Sequence, residues 1–307
     1  MTKRVLLIFL DGVGLGKHDP QTNPLARASL PCLDHLLEGK KLTIDSAPAE
    51  GERFTLLPLD ACLGVSGMPQ SATGQAVILT GRNVPKEIGY HYGPKPDDAV
   101  ADIVSNGNLF RMLIEANKTA DLVNAYPQRY FDAIDSGRRL LSSVPLAVQS
   151  AGLSLHTTAD LYQGKAMSAD FTGESWRSHL AMTDAPLYSP QEAGKKLFEL
   201  AGQNHFTFFE YWMSDYAGHS QEMDFACDLL ESFDGVLAGL LAHWQDDEGI
   251  IFITSDHGNI EDLSTHRHTY NPVPGLIIGS HDLRRQFSQG LHDLTGIVPS
   301  ILFLINR

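Results

Sequence analysis

The stretch VLLIFLDG, residues 5–12, sets an unbroken apolar run against an abrupt carboxylate. Val5–Leu10 has no polar alternation, so it reads as a strand buried on both faces, as in parallel sheets covered by helices on each side. Two later stretches repeat the design: HFTFFEYW at 205–212 and GIIFITSD at 249–256. Phe54–Leu59, Ala61–Leu63, Ala120–Ala125 and PGLIIGS (274–280) also read as extended. Between them lie helical signals. Ser189 is an N-cap followed by Pro190, with Glu192 completing a capping box ahead of a helix running to about 203. Ser71–Thr80 should be a helix stopped by Gly81, and Leu109–Ala116, Met223–His243 and Asp293–Ile305 are helical too. Strands alternating with helices predict an α/β fold, a doubly wound and mainly parallel sheet sandwiched by helices. Residues 84–187 are more polar and rich in Gly, Ser, Tyr and Pro, without a strong period. They are expected to form a small inserted cap, leaving 1–83 and 188–307 as the core.

The chain has 307 residues, 43% apolar and 20% charged, and a formal charge of −14. That balance speaks against nucleic acid or an anionic membrane as partner, since either needs a basic face. A small phosphorylated substrate is compatible with it, because a bound metal ion reverses the local field. Cys32, Cys62 and Cys227 are widely spaced and form no C-x-x-C pair. They suit free thiols and predict a cytoplasmic protein. The apolar run Val5–Leu10 is broken by Asp11 and is read as a strand rather than a leader. No segment reaches the length of a membrane span. DGVGLGK (11–17) is not a phosphate loop, because Asp11 stands where that pattern needs glycine.

Three strand ends carry carboxylates or imidazoles, at the sheet edge where open α/β folds bind ligands. Asp11 follows the first strand. MSDYAGHS (213–220) follows the second, with Asp215 and His219 four residues apart on one helical face. TSDHGNIED (254–262) follows the third, and Gly258 lets the chain leave the strand so that Asp256 and His257 can act together. HRHTYNPVPG (266–275) adds His266 or His268. GMPQSATGQ (67–75) places Ser71 and Thr73 at a helix start, where either hydroxyl could be a cap or a nucleophile. Asp and His form a suitable mixed ligand set for Zn²⁺ or Mn²⁺, with enough members for two ions. Two close metals beside a hydroxyl suit phosphoryl transfer.

Asp11, SATG, DYAGHS, SDHGN and HTYNPVP together resemble the alkaline-phosphatase-like metalloenzyme superfamily. They are most similar to its branch of cofactor-independent phosphoglycerate mutases and phosphopentomutases. The resemblance covers roughly 3–83 and 189–305. It implies one ion held by Asp11, Ser71, Asp256 and His257, and another held by Asp215, His219 and His268. His268 is chosen over His266 because it opens the H-T-x-x-P-V-P pattern. Ser71 is chosen over Thr73 because the branch has its nucleophile three residues before a glycine, here Gly74. Gln75 stands where the branch has histidine, and the chain is shorter than either mutase. The expectation is therefore a phosphohydrolase of a small phosphate ester working through a phosphoserine. Phosphomutase and phosphodiesterase are the alternatives, and a non-catalytic metal-binding regulatory protein is the non-enzyme one. Thr73, Gln75, Arg82 and Lys86 are the nearby candidates for substrate contacts, with Arg129, Arg138, Arg139 and Lys165 as further cations.

Overall fold

The computed structural model describes residues 3–306. Among these, the strands are β1 (Arg4–Leu10), β2 (Ala49–Glu50), β3 (Phe54–Leu59), β4 (Ala120–Leu122), β5 (Ala125–Tyr126), β6 (His156–Thr157), β7 (Phe206–Tyr211), β8 (Gly249–Thr254) and β9 (Val273–Ile278). Seven of them form one sheet in the order β2-β3-β9-β8-β1-β7-β4. β1 pairs in parallel with both β7 and β8, and β4 pairs in parallel with β7. β9 runs antiparallel between β8 and β3, so the sheet is mainly but not wholly parallel.

The continuous apolar runs are explained by two cores, one on each face. Val5, Leu7 and Phe9 of β1 belong to one, and Leu6, Ile8 and Leu10 to the other. β8 divides likewise, with Ile250 and Phe252 on one face and Ile251 and Ile253 on the opposite one. Helices Pro190–Ala201 and Met223–Leu241 cover the second face, and the Ser189/Glu192 capping box forms as expected. Helices Ser71–Thr80 and Ile297–Ile305 cover the first.

Residues 84–187 depart from the expected cap. Ala120–Leu122 completes the sheet as β4, because the outer edge of β7 offers backbone groups that need partners. Helices Asp98–Asn106, Leu109–Glu115 and Ser143–Ser150 put Val104, Phe110 and Val148 into the first core. What stands apart is smaller: the β5–β6 pair and a satellite cluster around Leu161, Ala166, Trp176 and Ala185. Ala61–Leu63, expected to be extended, is instead a turn. Asp60 accepts from the amides of Cys62 (2.8 Å) and Leu63 (3.1 Å), and Leu63 takes a left-handed φ of 57°. No helix among the described residues is long and apolar enough to cross a membrane.

The satellite is tied to the sheet by charge. His156 Nε2 lies 2.9 Å from Asp121 Oδ1 of β4, and its other ring nitrogen lies 3.8 Å from Asp160. The hydrogen bond to Asp121 raises the His156 pKa above its ordinary value of 6.5, against the opposing effect of burial. This contribution is fully present below pH 6.5 and is lost as pH rises through the elevated folded-state value. Denaturation midpoints of wild type and His156→Gln should therefore differ most at acidic pH and converge in alkali. A gap that is constant with pH would refute this linkage.

Candidate metal centre

β1, β7 and β8 deliver the site, each ending at the same sheet edge. Asp11 follows β1 directly, and its backbone N–H still bonds to Tyr211 O at 3.1 Å. The chain then turns at Gly12, with φ +68°, where a Cβ would sit 2.6 Å from Asp215 Oδ1. Only glycine lets the first strand's turn come this close to the second strand's carboxylate. Helix Met213–Ser220 begins immediately after β7 and presents Asp215 and His219 on one face. Past β8, Asp256 and His257 are fully buried. Glu261 organises the loops around them, accepting from Gly14 N (2.9 Å), Asn259 N (2.7 Å), Asn271 Nδ2 (3.0 Å) and the Thr269 hydroxyl. Its buried carboxylate does for these loops what a ladder does for strands.

Helix Ser71–Thr80 approaches from the first face, and Gly74 meets Asp256 so closely that a Cβ would lie 2.7 Å from that residue's Cβ. Ser71 Oγ comes to 3.0 Å from His257 Nε2. That nitrogen is 3.5 Å from Asp11 Oδ1 and 3.5 Å from Asp256 Oδ2. On the other side, Asp215 Oδ2 is 3.3 Å from His219 Nε2, and Asp215 Oδ1 is 3.8 Å from His268 Nε2. Two ligands about 2.0–2.1 Å from one tetrahedral ion lie roughly 3.3 Å apart, so these spacings fit common ions. Ligand atoms of Asp215, His219 and His268 all fall within 4.8 Å of one another, and so do those of Asp11, Asp215 and His257. Asp215 thus belongs to both groups, a sharing that the expected division of ligands does not contain. His219 and His268 are further oriented by Nδ1 contacts of 2.8 Å each, to His266 O and Pro69 O.

The electrostatics fit a cation. Burial, then the charges of Asp256, Asp215 and Glu210, push the Asp11 carboxyl well above its ordinary range. Burial and Asp215 raise Asp256 to about 7. Asp11 Oδ1 is buried without a hydrogen-bond partner among the described residues. Burial lowers His257 and His268, keeping them neutral as metal binding requires. Asp215 is the exception. Burial opposes its ionisation, yet hydrogen bonds with His219 and Asn259 hold it below its ordinary value. Clustered carboxylates with an orphaned oxygen and neutral imidazoles are the donor set of a divalent-ion site.

The other candidates separate. Gln75 lies in the centre, its amide 3.4 Å from both Asp11 Oδ2 and Asp256 Oδ2. Thr73 is buried and gives no helix cap. Its hydroxyl donates to Gln70 O (3.1 Å) and accepts from Tyr92 N (3.2 Å), pinning the loop that follows the helix. Arg82 and Lys86 do not line the cleft. Arg82 pairs with Glu87 beyond the far end of the Ser71 helix, whose ten residues carry the chain about 15 Å from Ser71. Lys165 is likewise outside the cleft, whereas Arg129, Arg138 and Arg139 line it. Two residues not foreseen also line it: Lys95, and Glu210, whose buried carboxyl is raised to about 7 by burial. Glu210 is a lone charge in an otherwise apolar strand, and that was its available signal.

A doubly wound α/β sheet with two Asp/His donor groups at its carboxyl edge defines a metal-dependent scaffold. The family model of the Metalloenzyme superfamily matches residues 154–306. A 2,3-bisphosphoglycerate-independent phosphoglycerate mutase of Halobacterium salinarum is 29% identical over 176 residues, which are 53% of this chain and 34% of the mutase. The chain thus spans about a third of the length of the curated relatives it matches. Among solved structures, the PH0037 protein of Pyrococcus horikoshii superposes with a TM-score of 0.58 at 18% identity, covering 100% of this chain and 98% of that one. Alkaline phosphatase from the Antarctic bacterium TAB5 gives 0.54 at 14% identity, covering 100% and 99%. At those identities the structures establish the shared fold.

Proposed function

We propose that this protein is a two-metal-dependent phosphohydrolase of a small phosphate ester, using Mn²⁺ or Zn²⁺ and a phosphoserine on Ser71. The observation that carries the reading is Ser71 Oγ at a helix start, 3.0 Å from Nε2 of His257, a member of the Asp11/Asp215/His257 donor group. Asp11, Ser71, Asp256 and His257 would hold one ion, and Asp215, His219 and His268 the other. Bound there, the ions supply Lewis acidity, lowering the pKa of a coordinated hydroxyl or water and neutralising phosphate oxygens.

The chain's own groups do the rest. Ser71 Oγ forms a bond to phosphorus as the ester P–O bond breaks and the leaving oxygen gains a proton. Water then cleaves the phosphoserine, returning a proton to Oγ and releasing phosphate. At the start of the Ser71 helix, Thr73 N–H is taken by Tyr92 O (3.0 Å) and Gly74 N–H by Gln70 O (2.8 Å), which leaves the N–H groups of Ser71 and Ala72 to meet phosphate oxygens. Gln75 spaces Asp11 from Asp256 through its amide. Lys95, Arg138 and Arg139 bring positive charge to a cleft otherwise dominated by carboxylates.

The names of the matched relatives favour phosphomutase as the second reading. A screen of phosphomonoesters, diesters and sugar phosphates with Mn²⁺, Zn²⁺ and Mg²⁺ tests the proposal. Release of inorganic phosphate from a monoester is expected, with an acid-stable phosphoserine trapped at Ser71. Positional transfer without release would assign the mutase instead. No turnover of any ester with any of the three ions would overturn both.

A further inference from the structure

The helix that supplies Asp215 and His219 carries more than ligands. Trp212, already in helical backbone geometry at φ −79° and ψ −10°, is followed by Asp215, Tyr216 and His219. Those positions are i, i+3, i+4 and i+7, a single helical face. Trp212 and Tyr216 are 49% and 63% exposed, although large aromatic rings are normally well covered. Both rings line the same cleft as Ser71 and Asp11. Tyr216 is braced edge-on by Phe225 at a centroid distance of 6.2 Å, which fixes one flank of its ring while the rest stays open.

Position in the reaction gives these rings a role. In-line displacement at phosphorus puts the leaving oxygen opposite the attacking one. Ser71 stands with Asp11, Asp256 and His257, so the leaving group faces the Asp215/His219 helix and its two rings. The cleft has a volume of about 1300 Å³. That exceeds the roughly 300–1,000 Å³ of most small-molecule sites, far more than a glycerol-sized group would fill. Cations and aromatic rings divide the space: Lys95, Arg138 and Arg139 offer charge, and Trp212 and Tyr216 offer π faces.

We infer that Trp212 and Tyr216 form a stacking subsite for the leaving group, and that the substrate is a phosphate monoester of an alcohol bearing a planar aromatic ring, aryl or nucleoside. This rests on the phosphohydrolase reading and narrows its substrate class. Stacking of a base on an aromatic side chain contributes enough for about a tenfold loss per ring removed.

The test compares kcat/KM for 4-nitrophenyl phosphate, adenosine 5′-monophosphate and glycerol phosphate in the metal-loaded protein. Wild type should prefer at least one aromatic ester over glycerol phosphate by about tenfold or more. Which of the two it prefers separates aryl from nucleoside. Trp212→Ala and Tyr216→Ala should each reduce that preference ratio about tenfold, and Trp212→Phe should restore most of it. A wild-type ratio near one, or a ratio unmoved by both alanine variants, would overturn the subsite while leaving phosphohydrolysis standing. Calorimetry on Ser71→Ala protein reads the subsite without turnover. Tighter binding of adenosine monophosphate than of glycerol phosphate, abolished by adding Trp212→Ala, supports it even if no ester is hydrolysed. Affinity for glycerol phosphate equal to that for both adenosine monophosphate and 4-nitrophenyl phosphate in that measurement overturns it.

Discussion

Ser71→Ala is expected to lower phosphoester turnover by about a thousandfold or more, the scale of losing a covalent nucleophile. Metal uptake should survive, because the imidazoles and carboxylates of both donor groups are untouched. Alanine is also a good residue for the first turn of a helix, and among the described residues the deleted hydroxyl makes a single hydrogen bond, with His257. Stability should therefore change by no more than about 1 kcal/mol. Thr73→Ala is the informative contrast. Thr73 is buried and bridges Gln70 O and Tyr92 N, so its loss leaves both without that partner and loosens the loop leading to Lys95. Its cost should fall mainly on stability, about 1–3 kcal/mol. Steady-state kinetics, metal analysis and denaturation on both variants check the assignment. Full activity in Ser71→Ala would remove Ser71 as nucleophile, and a thousandfold loss confined to Thr73→Ala would transfer the role.

The two hydroxyls show what was legible in the chain and what was not. The resemblance to the mutase branch, with its nucleophile three residues before a glycine, favoured Ser71, and the structure gives a physical reason for Gly74: helix and Asp256 touch there with no room for a side chain. Strands β1, β7 and β8 were readable because burial on both faces forces uninterrupted apolar runs, and the strand-end Asp and His residues were readable with them. β4 was not, because it has only three residues and owes its place to the edge of β7, far away in sequence. The distance of Arg82 and Lys86 from the cleft was not legible, because it depends on the direction in which the ten-residue Ser71 helix carries the chain. Trp212 and Tyr216 share the ligands' helical spacing, yet that face becomes visible only once the helix is known to begin at the end of β7.

Asp256 and Asp215 are both expected ligands, but without metal their removal should have opposite effects. Asp256 is raised to about 7 by burial and by Asp215, so its ionised form is disfavoured in the folded state. A carboxyl with a raised folded-state pKa loses stabilising proton uptake as pH climbs, here from its ordinary 3.8 to about 7. Above that window the ion-free protein carries the whole penalty, and Asp256→Asn removes it. Asp215 lies on the other side of the ledger. Its depressed pKa marks stability that is present above 3.8 and lost only as pH falls through the folded value, so Asp215→Asn discards it at neutral pH. Thermal melts at pH 8 in chelator should accordingly rank Asp256→Asn above wild type and Asp215→Asn below it. Adding Mn²⁺ or Zn²⁺ should lift wild type above both, since ions that bind the folded state stabilise it by mass action. Turnover should fall by at least about a hundredfold in each variant, more than the loss of a supporting contact to a ligand costs. Asp215→Asn should also weaken both ion equivalents, because Asp215 is common to the two donor groups. If wild type melts above Asp256→Asn in chelator as well as in metal, the carboxylate cluster is not held together by a cation.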